Sequence, residues 1–211
     1  MKGMGKKAFS ILIKGHKPGP IVMVTAGIHG TEIAGIYAAK KMLSLRVQRG
    51  RLLIIPIVNA KAYLLRTRGI PDVNRQFPRF RGDHCKTPLA QRVFELAKTH
   101  RPTWCIDLHE ATGFASKDPA ALGQSIRVYP NAKTQSVVQT VVSRMNIDIS
   151  THDHHFVTRS CVLPGSFRTA CAVVLGAHSV TTETSMQLSL QRRIQYQFLM
   201  VENIIKELKM I

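Results

Sequence analysis

Acidic residues are scarce in this sequence: twelve Asp and Glu stand against thirty Lys and Arg, a formal net charge of +18 over 211 residues. Such an excess favours polyanions and steers small acidic ligands, without choosing among them. The patterns that would make it a nucleic-acid footprint are missing. There is no basic strand with interleaved aromatics, no zinc-finger spacing and no helix-turn-helix. The charge is read as a general surface property, and nucleic acid is not the expected partner. Long apolar runs are missing too. The longest, Leu52 to Val58, falls far short of the ~20 residues that span a bilayer. Met1 to Lys7 is basic, but the apolar stretch behind it stops at Lys14, with no small-residue cleavage site after it. It is read as a first strand, not a signal peptide, and a cytoplasmic location is expected. The four cysteines, Cys85, Cys105, Cys161 and Cys171, form no C-x-x-C pair, and a chain of this size needs no disulfide. Repeats, low-complexity tracts and long linkers are also absent. With 45% hydrophobic and 20% charged residues, the chain reads as one globular domain.

What is present alternates. Ala8 to Lys14 reads as a strand, and Lys17-Pro18-Gly19-Pro20 as a turn. Ile21 to Ala26, Leu52 to Val58 and Trp104 to Leu108 read as buried strands, with shorter ones at Ile126 to Tyr129 and Val180 to Thr182. Helical spacing begins at Glu32 (Ile33, Ile36, Tyr37, Met42, Leu43). It recurs over Thr87 to Thr99, Thr134 to Met145, Phe167 to Leu175 and Leu188 to Met210. The stretch Arg66 to Lys86 is long and polar, as functional loops are. The pattern predicts an α/β fold with a mixed, largely parallel central sheet and helices on both faces, since the strands are apolar without alternation.

His29, His109 and Glu183 each follow a predicted strand, the edge at which open α/β sheets hold ligands. His29 and Glu32 stand three apart at a strand-to-helix junction, so both side chains face one way and can grip one ion. The flanking Gly27 and Gly30 let the backbone turn and approach closely. Taken singly, His29 reads as a helix cap and His109 as a hydrogen-bonded core histidine. Taken together, two His and one Glu with an open fourth position are a catalytic zinc set.

At this point the chain resembles the zinc carboxypeptidase superfamily, and most of all its succinylglutamate desuccinylase/aspartoacylase branch. The residues that carry the likeness are His29-Gly30-Thr31-Glu32, Asp72-Val73-Asn74-Arg75, Asp107-Leu108-His109 and Thr182-Glu183. The resemblance implies one zinc ion at His29, Glu32 and His109. It implies that Asn74 and Arg75 bind a substrate carboxylate, that Glu183 is the general base, and that Asp72 supports His29. The residue chemistry agrees. A zinc-bound imidazole gives its other N–H to a carboxylate, which Asp72 or Asp107 can supply. Arginine grips a carboxylate through two parallel bonds. Arg68 is read as the group that polarises the scissile carbonyl, with Arg66 as the competing assignment. Glu110 is the rival base, but strand alternation aims it away from His109. The histidine-rich tract His152-Asp153-His154-His155 reads as a polar loop or as the rim of the substrate entrance.

The expected activity is hydrolysis of an amide bond beside a carboxylate, on a small acidic acyl-amino acid or a peptide. Only 28 residues follow Glu183, so the additional C-terminal β domain of the desuccinylase branch is not expected here. A metallocarboxypeptidase acting on a peptide or peptidoglycan stem is the second expectation. A catalytically inactive binding module or a basic nucleic-acid binder stands as the reading from another class.

Overall fold

The structure, a computed structural model, describes residues 10–211; Ala8 and Phe9 of the expected first strand lie outside them. The strands are β1 (Ile11–Lys14), β2 (Lys17–Ala26), β3 (Arg49–Ile55), β4 (Trp104–Ala111), β5 (Ser125–Val128), β6 (Val157–Ser160) and β7 (His178–Ser185). The α-helices are α1 (Ile33–Lys41), α2 (Ala60–Leu65), α3 (Pro88–His100), α4 (Ala132–Asn146), α5 (Phe167–Leu175) and α6 (Leu190–Glu207). The strands form one sheet in the order β1-β3-β2-β4-β7-β5-β6. β3, β2, β4 and β7 run parallel. β1 and β5 are antiparallel to β3 and β7, and β6 runs parallel to β5. This is the mixed, largely parallel sheet that the apolar strands predicted. Among the described residues no helix is long and apolar enough to cross a membrane.

Period-two alternation divides the apolar strand residues between two cores. Val22, Val24, Leu52, Ile54, Ile106 and Val180 meet α1, α4 and α6 on one face. Met23, Leu53, Ile55 and Cys105 meet α3 and α5 on the other. Burying each such Leu, Ile or Phe contributes about 1.5–3 kcal/mol. Polarity also changes along the strands on the α3/α5 face. β2 passes from Met23 to Thr25, β4 from Cys105 to Asp107 and His109, and β7 from Ser179 to Thr181 and Glu183, all of them buried. The face is thus core at the strands' N-terminal ends and chemistry at their C-terminal ends. After β3 the chain crosses to the other side of β2 to lay down β4. The β2/β4 boundary is therefore the topological switch point, where α/β sheets place ligands.

Several expected boundaries move. Lys17 to Pro20 is not a turn but the start of β2, whose pairing with β3 shifts register between Lys17 and Ile21; an irregular pair tolerates prolines that lack an N–H. β3 ends at Ile55 instead of Val58, because Pro56 follows. His109 and Glu183 lie inside β4 and β7 rather than after them. The ladder runs on through His109–Glu183, Glu110–Thr184 and Ala111–Ser185, since a polar side chain does not interrupt backbone pairing. α2 and β6 are additional elements, too short for periodicity to reveal. Phe167–Leu175 is helical as read, with Ser166 accepting from the Thr169 N–H at its start and Gly176 closing it in the left-handed conformation.

Candidate active site

Three buried groups converge beyond β2. His29 Nδ1 lies 2.6 Å from Glu32 Oε1, and His109 Nδ1 lies 2.7 Å from Glu32 Oε2. The three side chains offer ligand atoms that all lie within 4.8 Å of one another. Among the described residues, this is the one group of His, Cys, Asp and Glu that converges in this way. Each imidazole is held from behind by a carboxylate. Asp72 Oδ1 lies 3.0 Å from His29 Nε2, and Asp107 Oδ2 lies 2.7 Å from His109 Nε2. Asp107 is fixed in turn by the Thr25 hydroxyl, which donates to its Oδ1 at 2.6 Å from the neighbouring strand. Both expected supports are therefore present, one per histidine, and Thr25 is a third that the sequence did not single out.

The donor set fits a zinc-type cation. Both Nδ1 atoms and the Glu32 carboxylate face a common point, and both rings have their tautomer fixed by an outer carboxylate. The electrostatics agree. Glu32, Asp72, Asp107 and Glu183 gather here, four of only twelve acids in a strongly basic chain. Burial alone would raise the Glu32 carboxyl. Attraction to His109 and hydrogen bonds from both histidines outweigh it and hold Glu32 at about 2. Burial also works against a charged His109, but Asp107 and Glu32 raise it well above the ordinary histidine range. The pocket attracts positive charge.

The loop 66–86 is a brace, not a free excursion. Phe77 packs edge-on against Phe167 and Phe94, at ring distances of 5.3 and 6.4 Å. Asp72 caps the 3₁₀ turn Val73–Arg75 by accepting the Asn74 N–H at 2.9 Å. Its other oxygen accepts from Arg68 Nε and Nη2, at 3.1 and 2.9 Å. Arg68 Nη1 stands 3.7 Å from Glu32 Oε1, beside the His29–Glu32–His109 cluster. Arg66 instead lies over the Tyr63 ring at 4.4 Å, so the geometry favours Arg68 of the two candidates. Asn74 is buried. Its Oδ1 accepts the Phe167 N–H at 2.9 Å, which turns Nδ2 towards His109 Nε2, 3.2 Å away. That Nε2 thus has both Asp107 and Asn74 as neighbours, and the tautomer of His109 sets which of them it bonds. Arg75 is exposed and donates through Nη1 to the Asn74 carbonyl at 2.8 Å.

Glu183 is paired with His109 across the β4–β7 ladder and so shares its face. Its carboxylate makes no hydrogen bond among the described residues. Burial pushes it up to about 7; Glu32 adds to the rise and His109 opposes it. Glu110 points to the opposite face, where it accepts from the Ala34 N–H and from Arg193, as strand alternation predicted. The histidine tract is not part of the His29–Glu32–His109 cluster. His154 stacks on Phe114 at 4.1 Å, and His155 Nε2 donates to the Ile149 carbonyl at 2.8 Å.

Reading the sequence missed further polar residues. Gln197 of α6 is fully buried, accepts from the Thr182 hydroxyl and donates to the His109 carbonyl. Arg127, Arg159 and Arg168 stand on the site's face of β5, β6 and α5. The available signal was a charged residue inside the apolar segments Ser125-Ile126-Arg127-Val128 and Phe167-Arg168-Thr169-Ala170.

Comparison with known proteins gives the family and the fold. Residues 18–207 match the family described as the succinylglutamate desuccinylase/aspartoacylase catalytic domain. No curated protein matches the sequence. Among solved structures, the product-bound cell shape determinant protein Csd4 of Helicobacter pylori superposes with a TM-score of 0.84 at 18% identity, over 96% of this chain and 55% of that one. The mDAP-bound form of the same protein, described as a D,L-carboxypeptidase, gives 0.78 at 18% identity, over 95% and 55%. A succinylglutamate desuccinylase/aspartoacylase from Rhodobacter sphaeroides gives 0.70 at 23% identity, over 96% and 59%. At these identities the likeness is one of fold. The chain spans little more than half the length of each of these structures.

Proposed function

Because the chain belongs to the succinylglutamate desuccinylase/aspartoacylase catalytic-domain family, we propose that it is a zinc-dependent hydrolase that cleaves an amide bond beside a carboxylate. The observation that carries the reading is the convergence of His29, Glu32 and His109, each imidazole backed by its own carboxylate. When bound there, zinc supplies Lewis acidity, acidifying water and polarising a carbonyl.

The chain's own residues do the rest. Glu183 takes the proton of the attacking water on its carboxylate and returns it to the leaving amine, a role worth about 10²–10⁴-fold in rate. Its carboxyl near 7 suits that exchange at neutral pH. Arg68 donates to the carbonyl oxygen as negative charge develops there. Arg75 and the Asn74 Nδ2 hydrogens hold the substrate carboxylate and fix the scissile bond in place.

The test is metal analysis joined to a substrate panel. The purified chain, or the chain refolded with zinc, is expected to hold one zinc. It should hydrolyse members of a panel of N-acyl amino acids and acidic peptides, and a chelator should stop it. Glu183→Gln should retain the zinc and lose at least 10²-fold in turnover. Two metal-free preparations, or full activity in Glu183→Gln, would overturn the reading. The same panel decides between acyl-amino-acid hydrolysis and carboxypeptidase action on a peptide or peptidoglycan stem. The second is favoured by the closer superposition on Csd4 than on the Rhodobacter sphaeroides protein, 0.84 against 0.70.

A further inference from the structure

β4, β7, β5 and β6 are consecutive in the sheet. Across them runs a row of polar side chains on one face. His109 of β4 is opposite Glu183 of β7, and Glu183 is opposite Ser125 of β5. Arg127 lies two residues on from Ser125 and so on the same face. Arg159 of β6 is its direct cross-strand partner. Arg168, in the first turn of α5, follows Phe167, whose N–H holds Asn74.

These three arginines lack what arginines normally have. None forms an ion pair with a carboxylate among the described residues. Arg168 is 1% exposed. Its Nη2 meets only the Cys161 thiol, at 3.2 Å, and its Nε and Nη1 are buried with no hydrogen-bond partner. The Nε atoms of Arg127 and Arg159 are buried and unpartnered as well; Arg159 donates only through Nη2, to the Ala115 carbonyl at 2.9 Å. Native proteins pair buried polar groups almost without exception, and each exception calls for an explanation. Arg168 also feels the unfavourable charge of Arg127 and the favourable charge of Glu183. Arg127 and Arg168 thus both stand near the Glu183 carboxylate, and none of the three guanidiniums is ion-paired among the described residues.

We propose that Arg127, Arg159 and Arg168 form a second anion subsite, which takes a dianionic group at the far end of the substrate and sets its specificity. The subsite is distinct from Asn74 and Arg75. At ~4.8 Å per strand, β5 and β6 lie ~10 and ~14 Å across the sheet from β4. The bound group is therefore at the end of the substrate remote from the scissile bond, not the carboxylate beside it. Two compact chemistries carry such charge, a pair of neighbouring carboxylates and a phosphate monoester. Guanidinium forks bind either one through parallel N–H···O bonds. The specificity role, though not the anion site itself, rests on the hydrolase reading above.

The test uses the chelator-treated full chain and three probes: inorganic phosphate, malonate and acetate. Calorimetric titration should show phosphate or malonate binding at least tenfold tighter than acetate. The stronger of the two identifies the chemistry. Arg127→Gln and Arg159→Gln, at half-buried positions, should each weaken the dianion at least tenfold. Arg127→Lys and Arg159→Lys should restore part of that loss, which a merely structural role would not predict. With zinc added, paired substrates that differ only in a charged or amidated far end should differ at least tenfold in kcat/KM. The Gln variants should remove that preference mainly through KM. Acetate binding as tightly as the dianions, or dianion binding unchanged in both Gln variants, would overturn the subsite. Loss of dianion binding in those variants from a chain that takes up no zinc would sustain the subsite and sink the hydrolase reading instead.

Discussion

At the scale of single residues, the site is defined by groups held in states that the fold does not favour. Glu183 is the clearest. Its carboxyl titrates at about 7 in the folded protein, against an ordinary value of 4.5. Between those values the folded chain keeps a proton that the unfolded chain has released, so stability falls as pH rises through that window. The full cost, about 3 kcal/mol, is present above pH ~7. Glu183→Gln is neutral at every pH. Denaturation of the chelator-treated protein should therefore find it more stable than wild type at pH 8, by up to about 3 kcal/mol, and equal to it near pH 4. Equal stabilities at pH 8 would mean that the carboxylate is solvated after all. The convergence of His29, Glu32 and His109 was legible in part because spacing carries it: His29 and Glu32 stand three apart before α1, and His109 lies towards the C-terminal end of a strand. Asn74's orientation was not legible. It depends on the Phe167 N–H, 93 positions away in the chain. Nor was Thr25's grip on Asp107, which follows from the pairing of β2 with β4.

At the scale of elements, the loop between β2 and α1 has to fit beneath α2. The Gly30 N–H donates to the Thr67 carbonyl at 2.9 Å. A Cβ at Gly30 would sit 2.0 Å from the backbone of Ala62 in α2. Gly30→Ala must therefore push α2 away, and with it the loop that carries Arg68 and Asp72. The expected result is a loss of about 1–3 kcal/mol in stability, together with at least tenfold weaker zinc uptake, because Asp72 no longer orients His29. Thermal melts and a zinc titration of the variant check both; unchanged uptake would show that Asp72 does not need the brace. Periodicity made α1, α3, α4, α5 and α6 readable, since each shows an apolar face over at least nine residues. α2, with six residues, and the four-residue β6 are too short to carry a period. Their places are set by packing and by pairing with β5. The same distinction explains the arginine row. Arg127 and Arg159 are 32 positions apart in sequence, and only the β5–β6 register makes them neighbours.

At the scale of the whole molecule, a chain of charge +18 concentrates four acids around one buried point. The surface therefore attracts the anions that the pocket is proposed to bind, while the centre attracts a cation. Steering of this kind is screened by salt. For a substrate with an anionic far end, kcat/KM should fall several-fold between 20 and 300 mM salt (roughly a change from weak to strong screening). Its amidated counterpart should fall less. Identical salt profiles for the two, from stopped-flow or initial-rate measurements, would remove steering from the account. The sheet order was not legible at this scale. The alternating elements announce a parallel sheet, but the crossing that puts β4 beside β2 follows from long-range packing.

The change of polarity along the strands has an evolutionary consequence. On the α3/α5 face, Met23, Cys105 and Ser179 lie on one side of a line across the sheet, and Thr25, Asp107, His109 and Glu183 lie on the other. Substitutions on the first side are felt as lost packing, and those on the second as altered chemistry. Descendants of such a sheet can exchange substrates by drifting on one side of the line while selection for foldability holds the other. In Arg127 and Arg159 the polar side of that line continues outward by two strands, β5 and β6, on the face that carries Glu183.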